Sequence, residues 1–306
     1  MTHLVDFIYE QYGIAAISIV PAKQGYYGET WCIDTENDSY FLKLDYSPQH
    51  QTKYRNSLEV VEYLCANGID FISKLVKTRA DNLFSTFNSA VLGVFVWVNG
   101  KNIETDETKF REYKMLSKIY PLTKQGFEIP SLEFSDERSS KFFAKWEQLK
   151  MAPPSKESNT ILAIFEQHQE VLRHYASRLS YFSEICQKDK PQFYFTHGDA
   201  GGNLLIGNEN DYIVDWDEVM YAPLERDAWV MCCYDWVLKA FSNALKQGNI
   251  SYKLRPERLA FCCYHTFFQY LCELLDDFTL YGRQQEIKAY FGCWVMERMK
   301  YADSIF

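Results

Sequence analysis

The chain has 306 residues, 47% apolar and 24% charged, an ordinary globular balance with enough apolar material to bury a sizeable core. A formal net charge of −9 argues against a protein whose main work is gripping nucleic-acid backbones, since such proteins present basic faces, and it suits cationic partners. Nine cysteines without a CxxC spacing, several inside apolar runs such as Trp31-Cys32-Ile33, read as reduced, buried side chains of a cytoplasmic protein rather than as disulfides or zinc ligands.

In chain order, Leu4, Val5, Ile8 and Tyr12 recur at helical spacing, with Gly13 as a stop, so residues 2–12 form a helix. No basic segment followed by an apolar run precedes it, so no secretory leader is expected, and no apolar stretch is long enough to span a bilayer. The β-branched run Ile14–Val20, then Thr30–Ile33 and Tyr40–Leu44, joined by turn signals at 25–28 and 34–39, predict a strand meander. Residues 56–66 read as a helix closed by Asn67-Gly68, and strands follow around Leu83–Phe87 and Val91–Val98, ending at Asn99-Gly100.

After Gly100 helical patterns dominate, at 106–119, 157–185, 226–246, 255–278 and 284–302. Strand signals there are confined to 193–195, 204–206 and 212–214. A five-strand front with one main helix, a hinge near 95–100 and a mostly helical back is a two-lobed α+β arrangement, divided as 1–98 and 99–306. The 22 Tyr, 22 Phe and 7 Trp residues are read first as core filling.

The chemistry concentrates in residues 193–217. Phosphoryl transfer needs held phosphate oxygens, a divalent cation to share their charge and a carboxylate facing the attacking hydroxyl. Short apolar strands here flank the polar loop His197-Gly198-Asp199-Ala200-Gly201-Gly202-Asn203, and a hairpin separates it from Asp215-Trp216-Asp217. A hairpin sets the start of its first strand beside the end of its second, which brings Asp199, Asn203 and Asp215 to one sheet edge.

These motifs, followed by Glu225-Arg226-Asp227, resemble the aminoglycoside phosphotransferase family of the protein-kinase-like superfamily, with the run Asp215 to Asp227 closest to the spectinomycin phosphotransferase branch. The resemblance implies a bilobal kinase-like fold: a small five-stranded antiparallel N-lobe and a larger, mostly helical C-lobe. It implies ATP or GTP as phosphoryl donor, with Mg²⁺, and a small cationic hydroxyl acceptor. By position it implies Asp199 as the catalytic carboxylate, Asp215 and Asn203 as metal ligands, and Lys43 as the phosphate-pairing lysine. Gly25, Tyr26, Tyr27, Gly28 and Thr30 fall in the loop closing over the phosphates, and Val94, Phe95 and Val96 in the hinge that meets the base. His197 and Asp227 match residues bracing the catalytic loop, and a helix glutamate should hold Lys43, with Glu62 a better candidate than Glu59.

Asp217, Asp235 and Asp276, with Glu273, Asp277 and Glu297, are carboxylates offered to an amine-bearing acceptor; the alternative for the helical ones is a solvated face. Two further readings stay open. One is a housekeeping kinase of choline, ethanolamine, homoserine or a sugar. The other is a nucleotide-binding pseudokinase, suggested by a loop from Asp199 to Asn203 one residue shorter than in relatives.

Overall fold

The computed structural model describes residues 2–22, 28–189, 191–276 and 283–306. The β-branched and aromatic runs near the N-terminus pair as expected. β1 (Ser18–Pro21), β2 (Gly28–Asp34), β3 (Ser39–Asp45), β4 (Ser85–Phe87) and β5 (Ala90–Val96) form a five-stranded antiparallel sheet in the order β1-β2-β3-β5-β4. β1 begins later than its apolar run because the ladder starts only where Ile17 N reaches Asp34 O at 2.8 Å. β5 ends at Val96 opposite Tyr40, with Trp97 N donating to Ser39 O at 3.1 Å just beyond it.

The expected N-terminal helix, α1 (Thr2–Tyr12), lays Leu4, Ile8 and Tyr12 on one face of the sheet, against Ile33, Leu42, Leu92 and Val94. Each fully buried side chain of this size contributes about 1.5–3 kcal/mol. On the other face, α2 (Gln51–Ala66) places Tyr54 and Leu58 against Val91. α2 starts five residues before the expected Asn56, because Ser47-Pro48 makes a turn in which Ser47 O accepts from both His50 N and Gln51 N at 2.9 Å.

The described chain divides into two compact units, Met1–Ser131 with Tyr194–Tyr221 and Ala244–Ile250, and Leu132–Phe193 with Ala222–Asn243 and Ser251–Phe306. Besides the sheet, the first unit holds α3 (Asp106–Ile119), whose start is fixed by a reciprocal Thr105–Thr108 capping box. It also holds β6 (Tyr194–Thr196) and the hairpin β7 (Leu204–Ile206) and β8 (Asp211–Ile213), paired Leu204↔Ile213. β9 (Met220–Ala222), paired with β6, is a strand the sequence pattern did not reveal.

The second unit is helical. α4 (Glu137–Met151) was not anticipated, although Phe142, Trp146 and Leu149 repeat at helical spacing and are buried. The expected single helix 157–185 breaks at His168 into α5 (Lys156–Gln167) and α6 (Gln169–Lys188). Likewise 226–246 resolves into α7 (Glu225–Ala228), a 3₁₀ turn at Trp229–Met231 and α8 (Asp235–Gln247). α9 (Pro256–Asp276) is the axis of this unit, burying Phe261, Phe267, Phe268 and Leu271, with α4, α6 and α11 (Val295–Asp303) packed on it. α10 (Arg283–Tyr290) is separated from α11 by the segment around Gly292. The aromatic richness goes largely here: Phe142 lies 5.1 Å from Phe165 and 5.5 Å from Phe268, centroid to centroid. All nine cysteines are free. Among the described residues, no helix is long and apolar enough to cross a membrane.

Candidate active site

The site lies in the first unit, and its geometry starts from the hairpin. Because Leu204 opposes Ile213, the residues just outside that pair are neighbours, and Val214 N donates to Asn203 O at 3.0 Å. Asn203 in turn donates its side-chain amide to Asp199, to the main-chain oxygen at 2.9 Å and to the carboxylate at 3.2 Å. The expected convergence of Asp199, Asn203 and Asp215 is therefore carried by short, direct links.

His197 braces this loop. Its Nδ1 accepts from Asp199 N at 3.3 Å, its Nε2 donates to Val214 O at 2.9 Å, and its ring meets Trp216 edge-on at 4.7 Å. Trp216 is itself pinned by its indole N–H on Ile213 O at 2.9 Å. The turn that follows puts Asp215 in the left-handed region, at φ 61° and ψ 62°. Asp tolerates that conformation because its short side chain bonds locally, but it still costs on the order of 1 kcal/mol.

Lys43 projects from the middle of β3 to this turn. It donates to Asp215 at 2.8 Å and also to Asp217. Dehydration would lower the lysine, but the charges of Asp217 and Asp215 outweigh it and raise it above its ordinary value. The surrounding protein dehydrates Asp215 too, yet Lys43 holds its carboxyl below the usual range. Asp217, almost fully enclosed, is pushed up to about 6 by dehydration, with Asp215's charge adding and Lys43 opposing. Asp199 keeps an open face to solvent, while the protein packed around it and the charge of Asp215 raise its carboxyl.

A cavity of about 560 Å³ opens beside these groups, within the usual size of a ligand site. Its walls are apolar and partly aromatic, with Phe41, Val61, Ile72, Phe95, Trp97 and Leu205, and Lys43, Asp215 and Asp217 supply charge and Asn203 an amide to its lining. Thr30 and Val96 line it as well. Val94 does not: it is wholly buried within the sheet and its carbonyl accepts from Val76 N at 2.8 Å. The hinge segment that reaches the cavity is thus displaced toward Phe95–Val98. Gly28 sits at the start of β2, where a Cβ would lie 1.8 Å from Leu44 O, so the close strand approach demands glycine. Gly25, Tyr26 and Tyr27 lie outside the described residues, as does Asp277.

The expected lysine-holding glutamate is corrected. Glu62 accepts from Lys77 at 2.7 Å rather than from Lys43, whose partners are Asp215 and Asp217. What ties α2 to the site is reversed in charge: His50 and Lys53, at its start, both reach Glu218. Buried Asp45 at the end of β3 holds the His50 ring and accepts from Ser47 N at 2.8 Å, so the same carboxylate closes the β3–α2 turn. Dehydration would lower His50, but its bonds to Asp45 and Glu218 raise it to about 9.

In the second unit, Asp227 is buried in α7, Asp235 is exposed at the start of α8, and Asp276 pairs with Lys145. Glu297 accepts from the Tyr234 hydroxyl at 2.9 Å, and Glu273 from Gln269 at 2.9 Å. Sequence reasoning overlooked Lys109 and Glu112, a buried pair at 2.8 Å beside Gly201. The signal was present: Lys109 stands on the apolar stripe of α3 with Tyr113 and Leu116, where a charge is costly without a partner.

Residues 18–262 match the APH family, the phosphotransferase enzyme family. The chain belongs to that family. No curated protein sequence matches it. Among solved structures it is similar to spectinomycin phosphotransferase APH(9)-Ia in complex with ADP and spectinomycin, with TM-score 0.72 and 20% identity, covering 100% of this chain and 94% of that one. It is similar to the amicoumacin kinase hAmiN in complex with AMP-PNP, Ca²⁺ and Ami, with TM-score 0.63 and 14% identity over 99% and 93% of the two chains. A choline kinase from Cryptosporidium parvum Iowa II gives TM-score 0.61 and 11% identity over 99% and 96%. At such identities these likenesses speak for the fold, which is kinase-like with a five-stranded antiparallel sheet and a helical remainder, as the sequence implied.

Proposed function

We propose that the chain is a cytoplasmic small-molecule kinase that moves the γ-phosphoryl group of ATP or GTP to a hydroxyl of an aminoglycoside, an aminocyclitol or a similar polar metabolite. The observation that carries this reading is a single cavity whose apolar aromatic walls suit a nucleobase and whose lining presents Lys43 and Asp215, with Asn203 bonded to Asp199. In functional terms residues 1–98 supply the nucleotide side and 99–306 the catalytic loop and acceptor contacts.

Asp199, open to solvent, orients the acceptor hydroxyl and takes its proton as the oxygen attacks phosphorus. Burial raises its carboxyl, which makes it a better acceptor for that proton. Lys43 exchanges one of its carboxylate partners for phosphate oxygens. The Phe95–Val98 segment lies where a base edge meets main-chain groups. The donor set fits magnesium: Asp215 offers a carboxylate, and Asn203, whose amide nitrogen is turned to Asp199, offers a hard carbonyl oxygen. When bound, the ion would share the charge of the phosphate oxygens.

The test is an ADP- or GDP-release screen over aminoglycosides, aminocyclitols and small amino alcohols, with Asp199→Ala as control. Turnover on an acceptor that Asp199→Ala loses, while nucleotide still binds, supports the proposal; equal turnover in the variant removes Asp199 from it. A choline- or amino-alcohol-type acceptor is the second reading, favoured by the likeness to choline kinase and by Asp276 already being paired with Lys145. Magnesium-dependent nucleotide binding without product on any acceptor would turn the proposal toward a pseudokinase.

A further inference from the structure

The loop from Asp199 to Asn203 contains adjacent glycines, and each leaves a recess that another side chain fills. A Cβ on Gly202 would lie 3.0 Å from Asp199 Oδ1, so the carboxylate rests against that α-carbon. A Cβ on Gly201 would lie 2.2 Å from Lys109 Nζ and 3.2 Å from Glu112 Oε2, so the α3 ion pair is seated against the other. The same loop is gripped from the chain before α3, where the Asn102 side-chain amide donates to Gly201 O and Leu204 O, both at 2.9 Å. Lys109 and Glu112 are nearly inaccessible, at 9% and 3% exposure.

A buried ion pair is a poor device for stability, because apolar residues of the same volume usually do as well. Its value here is location. Among the described residues, those that present charge or polarity to Asp199 include His197 and Asn203 from its own loop, Asp215 from the turn after β8, and Lys109 from α3. Lys109 is the cation among them that comes from a rigid helix.

We infer that Lys109, seated in the recess of Gly201 and tethered by Glu112, is a positioning residue that fixes the loop carrying Asp199 at its working distance from the phosphoryl group. The inference rests on the kinase reading of the site. The loop is thus held at Gly201 from two sides, by Asn102 through the Gly201 carbonyl and by Lys109 against the Gly201 α-carbon. No bond is made or broken by Lys109; it acts through Asp199. Misplacement of a reacting group by about 1 Å costs roughly 10²-fold in rate.

The experiment compares Lys109→Met, Lys109→Arg, Gly201→Ala and the double variant Lys109→Met/Glu112→Leu, which removes both charges of the pair if the single change fails to fold. For an acceptor that the wild type phosphorylates, kcat should fall about 10²-fold in Lys109→Met and in the double variant, with the nucleotide KM within about twofold. Lys109→Arg should recover part of the loss, and Gly201→Ala combined with Lys109→Met should be no worse than either alone. A folded double variant with wild-type kcat, or additive losses from Gly201→Ala and Lys109→Met, overturns the inference. Hydrogen exchange of amides 198–204 reads the same lock without turnover. Protection lost only there in the double variant supports it, and unchanged protection overturns it, even where the screen finds no acceptor and the kinase reading itself fails.

Discussion

His50 offers the most quantitative test of how this site is held together. Its ring is nearly inaccessible and bridges Asp45 and Glu218, and those bonds raise its folded pKa to about 9, against 6.5 for an unperturbed histidine. A basic group whose pKa is raised on folding stabilises fully below the unfolded value and loses that contribution as pH rises through the folded one. The difference of roughly 2.5 units, at about 1.4 kcal/mol per unit, gives about 3 kcal/mol that is present at pH 6.5 and nearly gone by pH 9.5. His50→Asn keeps a polar side chain of similar reach but cannot take a charge. Urea unfolding of both proteins at half-unit steps between pH 6.5 and 9.5 measures the contrast, because titrations shared by the two cancel in the difference. The wild-type advantage should shrink by about 3 kcal/mol across that window. Parallel stability curves would refute the reasoning and leave His50 neutral in the fold.

Lys43→Met should weaken nucleotide binding tenfold or more in calorimetry. It should also destabilise the protein by about 3 kcal/mol at pH 7, and by less at lower pH, because Asp217 takes a proton more readily once the lysine that holds its carboxyl down is gone. Glu225→Gln should be the costliest change in the helical unit, about 3–5 kcal/mol by denaturant unfolding. That carboxylate is wholly buried and accepts from Tyr252 at 2.6 Å, Arg255 N at 2.7 Å and Arg258 at 2.9 Å. Asp276→Asn should leave both stability and acceptor KM unchanged within experimental error, since an exposed pair with Lys145 is worth under about 1 kcal/mol; a several-fold rise in KM would return Asp276 to the acceptor site.

Much of the fold was legible because its signals are local. Alternating β-branched strands between turn residues gave the sheet, and the spacing between Asn203 and Asp215 gave the hairpin that joins them. Helix breaks were harder. Nothing apolar changes at His168, where one periodic stretch becomes two helices, because the break is a backbone bend rather than a loss of periodicity. α4 was missed although its buried stripe is regular, since its solvent face is strongly polar. At the site, charges predicted by analogy found other partners. Sequence order could not show that Lys43 would be held by Asp217, two residues beyond Asp215, or that the α2 cations would meet Glu218. Those pairings depend on how the 3₁₀ turn at 216–218 faces α2, which is a tertiary fact.

The left-handed backbone at Asp215 narrows what selection or an experimenter can place there. Alanine or glutamate would have to bear the steric penalty of a conformation that only Gly, Asn and Asp enter readily. Loss of function in those variants would mix an altered main chain with an altered ligand. Asparagine keeps the dihedral preference and removes only the charge, so it is the substitution that isolates electrostatics at this position. Homologous chains that keep this turn should vary at the corresponding residue only within that trio.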